Sequence, residues 1–317
     1  MLKIVIEAES IRIGERFAVT FQRTLRIPDD ERTYPLPPGL GRLPVFRVDD
    51  YRERVPPDWR ELGGAFIPMY QREALWLGFH AAAWKPNAVK VAVGGVNALS
   101  GNRDDDELHS DPQDYLVCPD QPWLDGIHSE RGAVRQFVAM PLGLGYSVES
   151  SITGAETLGG IQITVFEPKP GKFPDQAPVL RETGPVRMGT SRATQMGIGA
   201  GGVIKQKIYP DPYGIETWDQ TNRARAFVHI VNSARFVEIT GLEPPPTPID
   251  AKTYTEHGLP WFDLYDEASR DTAPSEQLAG AKTISGRDAE REETVPTDSF
   301  EVSEAQVRKL GKHDANE

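Results

Sequence analysis

Three groups of residues in this chain have types and spacings that chemistry can use. His109-Ser110-Asp111 sets a histidine and a carboxylate two positions apart, the spacing of the first two ligands in a 2-His-1-carboxylate iron(II) site. His229, in a later apolar run, stands as the candidate third ligand, and Arg235 has the charge to pair with a carboxylate cosubstrate. The second group is Asp104-Asp105-Asp106-Glu107, followed by Asp111 and Asp114. It offers several hard oxygen ligands, but the central glycine of a calcium loop is missing, so a solvated acidic loop is the better account. The third is Gly197-Ile198-Gly199-Ala200-Gly201-Gly202, which satisfies G-x-G-x-x-G. A dinucleotide fingerprint needs a strand before it and a helix after it. Here a polar stretch precedes and the strand-like Val203 to Tyr209 follows, so the nucleotide reading fails. A glycine-rich backbone near Arg187, Arg192, Lys205 and Lys207 remains, as an anion-binding nest or as a flexible turn into a strand.

The set His109, Asp111 and His229 resembles the iron(II) and 2-oxoglutarate oxygenases. That resemblance implies a jelly-roll of antiparallel strands, bound iron(II) as cofactor and an oxidative activity. It covers four residues only. With 47 acidic residues and six histidines, about one His-x-Asp/Glu match arises by chance. His128-Ser129-Glu130 is a second match, and no His-x-His of the cupin type occurs. Cys118 has no cysteine-protease signature around it, and no G-x-S-x-G elbow is present.

The aromatic residues are more suggestive. Trp123, Tyr213, Trp218 and Trp261 each stand in a loop-like stretch with prolines and aspartates. Aromatic faces beside carboxylates hold sugars or a partner protein. The plain alternative is that they fold back over the ends of the fold. The stretch Gly258 to Asp266 also reads as a docking arm for another subunit.

These residues need elements to position them, and the prevailing apolar period is two. Phe17, Val19, Phe21, Leu25 and Ile27 share one face, with Thr20, Gln22, Thr24 and Arg26 on the other. Val89, Val91 and Val93 alternate and run into Gly94-Gly95, a two-residue hairpin signal. Ile161 to Val165 and Ile204 to Ile208 alternate as well, while Val134 to Met140 and Phe227 to Val231 read as buried strands. Ser233 to Thr240 predicts a short helix stopped by Gly241. The apolar run Gln71 to Ala83 reads as a buried helix, with a strand and turn as the alternative. Long proline-bearing connections at 28–44, 168–185 and 242–260 read as stiffened loops along sheet edges.

The fold class is therefore mainly β, an antiparallel sandwich or jelly-roll-like fold over residues 1–266, as one unit or as two halves meeting near 155–180. Residues 267–317 differ in composition: they hold twelve acidic and seven basic side chains and one aromatic, Phe300. So polar a segment reads as a disordered acidic tail, although Ser303 to Gln306 matches a capping box. The net charge of −12 opposes nucleic-acid and anionic-membrane partners. One cysteine and no apolar run of membrane-spanning length point to a soluble, cytoplasmic protein. The expectation is a non-catalytic binding or assembly protein without a cofactor, using Trp123, Tyr213, Trp218, Trp261 and Arg192 on a protein partner or on itself. The alternative is the iron(II) enzyme built on His109, Asp111 and His229.

Overall fold

A computed structural model describes residues 2–30, 32–176, 193–264, 270–293 and 299–310. Seventeen strands join into one sheet that is mainly antiparallel. Its longer members neighbour one another in the order Phe17–Thr24, Ala74–His80, Ala133–Pro141, Ala193–Lys205, Trp218–Asn232, Ile161–Pro168 and Asn87–Val93. Two parallel pairings break the pattern, Ala65–Met69 on Trp218–Asn232 and Thr33–Tyr34 beside Val203 and Ile204. The sheet runs through residues on both sides of 155–180, because Ile161–Pro168 lies between Asn87–Val93 and Trp218–Asn232. No helix among the described residues is long and apolar enough to cross a membrane.

The period-two pattern works as sandwich-like folds require. Phe17, Val19 and Phe21 meet Leu75, Leu77 and Phe79, Val89, Val91 and Val93, and Ile161, Ile163 and Val165 in one fully buried cluster. Asn87–Val93 returns as Val96–Asn97 through Gly94 and Gly95, which take φ of 57° and 72°. Both central positions of a type I′ turn need such angles, and glycine adopts them without strain. The helix Ser233–Thr240 ends at Gly241 in the left-handed conformation, and buries Phe236 and Ile239.

Three expectations are corrected. Gln71 to Ala83 is no helix: Ala74–His80 is a strand, with Leu75, Leu77 and Phe79 facing the core and Ala74, half-buried Trp76, Gly78 and exposed His80 on the other side. Apolar side chains on both faces read as an unbroken run, which hides the period. Gly197 to Gly202 is neither turn nor nest but the middle of the Ala193–Lys205 strand. A Cβ at Gly202 would overlap the Pro28 carbonyl, so close backbone approach is what this glycine serves. The acidic run is not merely solvated, since the Asp104 side chain is only 4% exposed.

The structure also bears on the bounds of the expected tail. Residues 270–293 and 299–310 pack onto the sheet, while 311–317 lie outside the described residues. Ser275 caps Glu276–Ala279 and buries Leu278; Thr283 caps Ile284–Glu290 and buries Ile284. Arg72 donates to both carboxylate oxygens of Asp288 at 2.8 and 2.6 Å. The Ser303–Gln306 capping box forms, but it opens a single turn and is followed by a strand, Val307–Leu310, lying parallel to Trp261–Leu264. Few apolar residues suffice here because the core supplies the surface they cover.

Candidate functional site

The polar face of Phe17–Thr24 holds the candidate site. Thr20, Gln22, Thr24 and Arg26 point away from the core, as the alternation requires. Cross-strand register puts Gln22 opposite Trp76 and Thr20 opposite Gly78, and Gly78 in turn opposite Trp123. These residues floor a cleft of about 490 Å³, with Asp125 beside Trp123 and His80 and Arg42 at its rim. Such a volume suits a small organic ligand.

The walls come from two distant segments. One is Leu36-Pro37-Pro38, anchored where the Thr24 hydroxyl donates to the Pro38 carbonyl at 2.9 Å. The other is the C-terminal pair of strands, which contributes Phe262 and Leu310. The walls are tied together: the Leu36 amide donates to the Phe262 carbonyl at 2.9 Å and the Phe262 amide returns the bond at 3.0 Å. The cleft therefore exists only because the C-terminal segment docks.

Inside it, the Trp123 indole N–H donates to Asp125 Oδ2 at 2.6 Å. Gln206 holds this corner, donating to the Trp123 carbonyl and accepting from the Asp125 amide. Burial pushes the Asp125 carboxyl up to about 7, against the opposing pull of the Trp123 hydrogen bond. The cleft thus offers aromatic faces from Trp76, Trp123 and Phe262, an amide at Gln22 and one acid that titrates near neutrality. Among its described lining residues Asp125 is the one carboxylate, where glycoside hydrolysis takes two.

The other expected residues lie elsewhere. Trp218 is fully buried, its indole N–H donating at 2.9 Å to Asp211 Oδ2, which also accepts from Tyr115. Trp261, in the stretch expected as a docking arm, is buried among Tyr34, Tyr254 and Phe300 of its own chain. Tyr213 is exposed and packs edge-on against Phe173 and Trp218. Arg192 lies outside the described residues. Of the expected aromatics, Trp123 alone lines the cleft.

The iron(II) ligand set is not assembled. His229 stacks on Trp59 at 4.5 Å, and its Nε2 donates to the Gly63 carbonyl at 3.0 Å. Burial pushes this imidazole down to about 4, which keeps the stacked ring neutral. Nε2 therefore has no lone pair for a metal, and His229 is not grouped with His109 or Asp111 among the described residues. Arg235 pairs with its helix neighbour Glu238, and Asp111 is exposed beside a cis Asp111–Pro112 bond. Among the described residues, His109 converges instead with Asp105 and Asp114. That cluster already contains a cation: Lys90 Nζ lies 2.8 Å from Asp105, 2.9 Å from Asp114 and 3.6 Å from Asp104.

The sequence pattern held a signal for Trp76. Once Ala74–His80 is taken as a strand, Trp76, Gly78 and His80 fall on the face opposite Leu75, Leu77 and Phe79. Asp125 and Phe262 lie in the proline- and aspartate-bearing stretches singled out for Trp123 and Trp261, whereas nothing local announces Arg42, which tertiary structure brings in. Comparison of the chain with protein-family models, with curated proteins and with solved structures finds no match.

Proposed function

We propose that this protein is a non-catalytic binding protein whose cleft takes an uncharged, hydroxyl-rich small molecule of the saccharide class. The observation that carries the reading is the grouping of Trp76, Trp123 and Phe262 around a single buried acid, Asp125, and the Gln22 amide. Indole faces stack on the C–H faces of a sugar ring while a few fixed polar groups orient its hydroxyls. A carboxyl that titrates near pH 7 both donates and accepts hydrogen bonds, which suits hydroxyl partners.

The test is a titration of the full chain with neutral oligosaccharides, read by tryptophan fluorescence and calorimetry. Saturable binding is expected, and Trp76→Ala, which removes a half-buried wall without touching the core, weakens it at least about tenfold. Absence of saturable binding across neutral hexose, pentose and amino-sugar oligomers overturns the reading. So does a Trp76→Ala protein that binds as the wild type does.

A further inference from the structure

The same polar strand face carries a second cavity, of about 280 Å³, lined by Thr24, Arg26, Arg72, Glu73, Asp250 and Phe300 among others. Its unusual member is Arg26. The Nε and Nη2 atoms of this guanidinium are shielded from solvent and have no hydrogen-bond partner among the described residues. Buried guanidinium nitrogens are costly to leave unmatched, so a partner is expected.

The carboxylates around the cavity do not supply one; each accepts from other donors. Both oxygens of Asp288 accept from Arg72, and one also accepts from the Tyr146 hydroxyl. Asp29 Oδ2 accepts from the Ser285 amide at 3.0 Å. Glu73 accepts from Arg23 through one oxygen and from the Tyr70 amide through the other. Asp250 accepts from both the amide and the hydroxyl of Thr253. Arg26 thus feels Asp29 and Asp288 only through space, and Arg72 stands near it as a second positive charge.

We propose that this cavity is a binding site for a small oxyanion, a phosphate or carboxylate group, toward which the Arg26 guanidinium, already at the cavity wall, turns its Nε and Nη2 on binding. The geometry of the guanidinium fork matches two oxygens of such a group, and desolvation makes the pair stronger than a surface one. Burial and the neighbouring Arg72 push the Arg26 guanidinium down to about 10, so it still carries its charge at neutral pH. The site is separate from the aromatic cleft and does not depend on what that cleft binds.

Thermal unfolding of the full chain tests it, in inorganic phosphate and in acetate against chloride at matched ionic strength. A saturable rise in Tm with one of the two anions is expected. Phosphate acting without acetate identifies a phosphate-bearing ligand, and the reverse a carboxylate. Arg26→Met should abolish the rise while its Tm in chloride is no lower than that of the wild type. Arg26→Lys, which keeps the charge but loses the fork, should bind at least about tenfold more weakly, and it decides the matter if Arg26→Met does not fold. No saturable rise with either anion, or a rise of unchanged affinity in both variants, overturns the proposal.

Discussion

Two faces of this sheet bury charged side chains and treat them in opposite ways. On the outer face of Asn87–Val93, Lys90 is 1% exposed and lies in a row with Thr164 and Arg225 on the neighbouring strands. The acidic loop closes over that row. Asp105 and Asp114 take Lys90, while Asp104 takes Arg225 at 2.7 Å. Each charge there has its counter-charge. On the polar face of Phe17–Thr24, Arg26 has no hydrogen bond to its buried nitrogens, and Asp125 has an indole N–H rather than a cation. Both of those groups line cavities. The difference separates structure from readiness to bind: a compensated buried charge holds the fold together, and an uncompensated one at a cavity wall leaves interaction energy for a ligand.

The largest effect is expected at Lys90. Lys90→Met keeps the volume but strands the buried Asp114 beneath the loop, while Asp104 keeps Arg225, and should cost about 3–5 kcal/mol in urea unfolding. A loss below about 1 kcal/mol would mean that the carboxylates reach water by another route, and the contrast between the faces would go.

Asp125 tests the uncompensated side through pH. Its folded pKa lies above its ordinary value, so the folded state holds the proton more tightly than the unfolded state. Its contribution to stability is therefore present below about pH 4 and lost as pH rises through 7. Asp125→Asn keeps an acceptor for Trp123 and removes that slope. The variant should match the wild type at pH 4 and exceed it at pH 8 by at most about 4 kcal/mol. A difference between the two proteins that does not change with pH contradicts the assignment.

Arg26→Met should act in the opposite sense to Lys90→Met, raising stability in chloride by about 1–3 kcal/mol. A clear loss instead would show that Arg26 has found its partner within the fold. The smallest effect concerns the covering segment. Ser303→Ala removes the capping box that precedes the Val307–Leu310 strand, and should loosen that strand by about 0.5–1 kcal/mol. Hydrogen exchange at residues 307–310 and at Phe262 reads it directly. Unchanged protection there would show that the cap does not steady the wall of the cleft.

What the sequence determined by itself was local. Alternation placed Phe17, Val19 and Phe21 inward and Thr20, Gln22, Thr24 and Arg26 outward, the Gly94-Gly95 pair announced a hairpin, and Ser233 to Gly241 spelled out a capped helix. Each of these rests on forces within a few residues: side-chain period, permitted φ, and capping. Tertiary structure decided everything that depends on a distant partner. It set Phe262 and Leu310 as a wall of the cleft, gave Lys90 its three carboxylates, took His229 away from His109, and converted a polar segment expected to be unstructured into a covering layer. The physical reason is the same in each case. Composition counts what a segment can bury with itself, whereas Leu278, Ile284 and Trp261 are buried against surface that other parts of the chain provide.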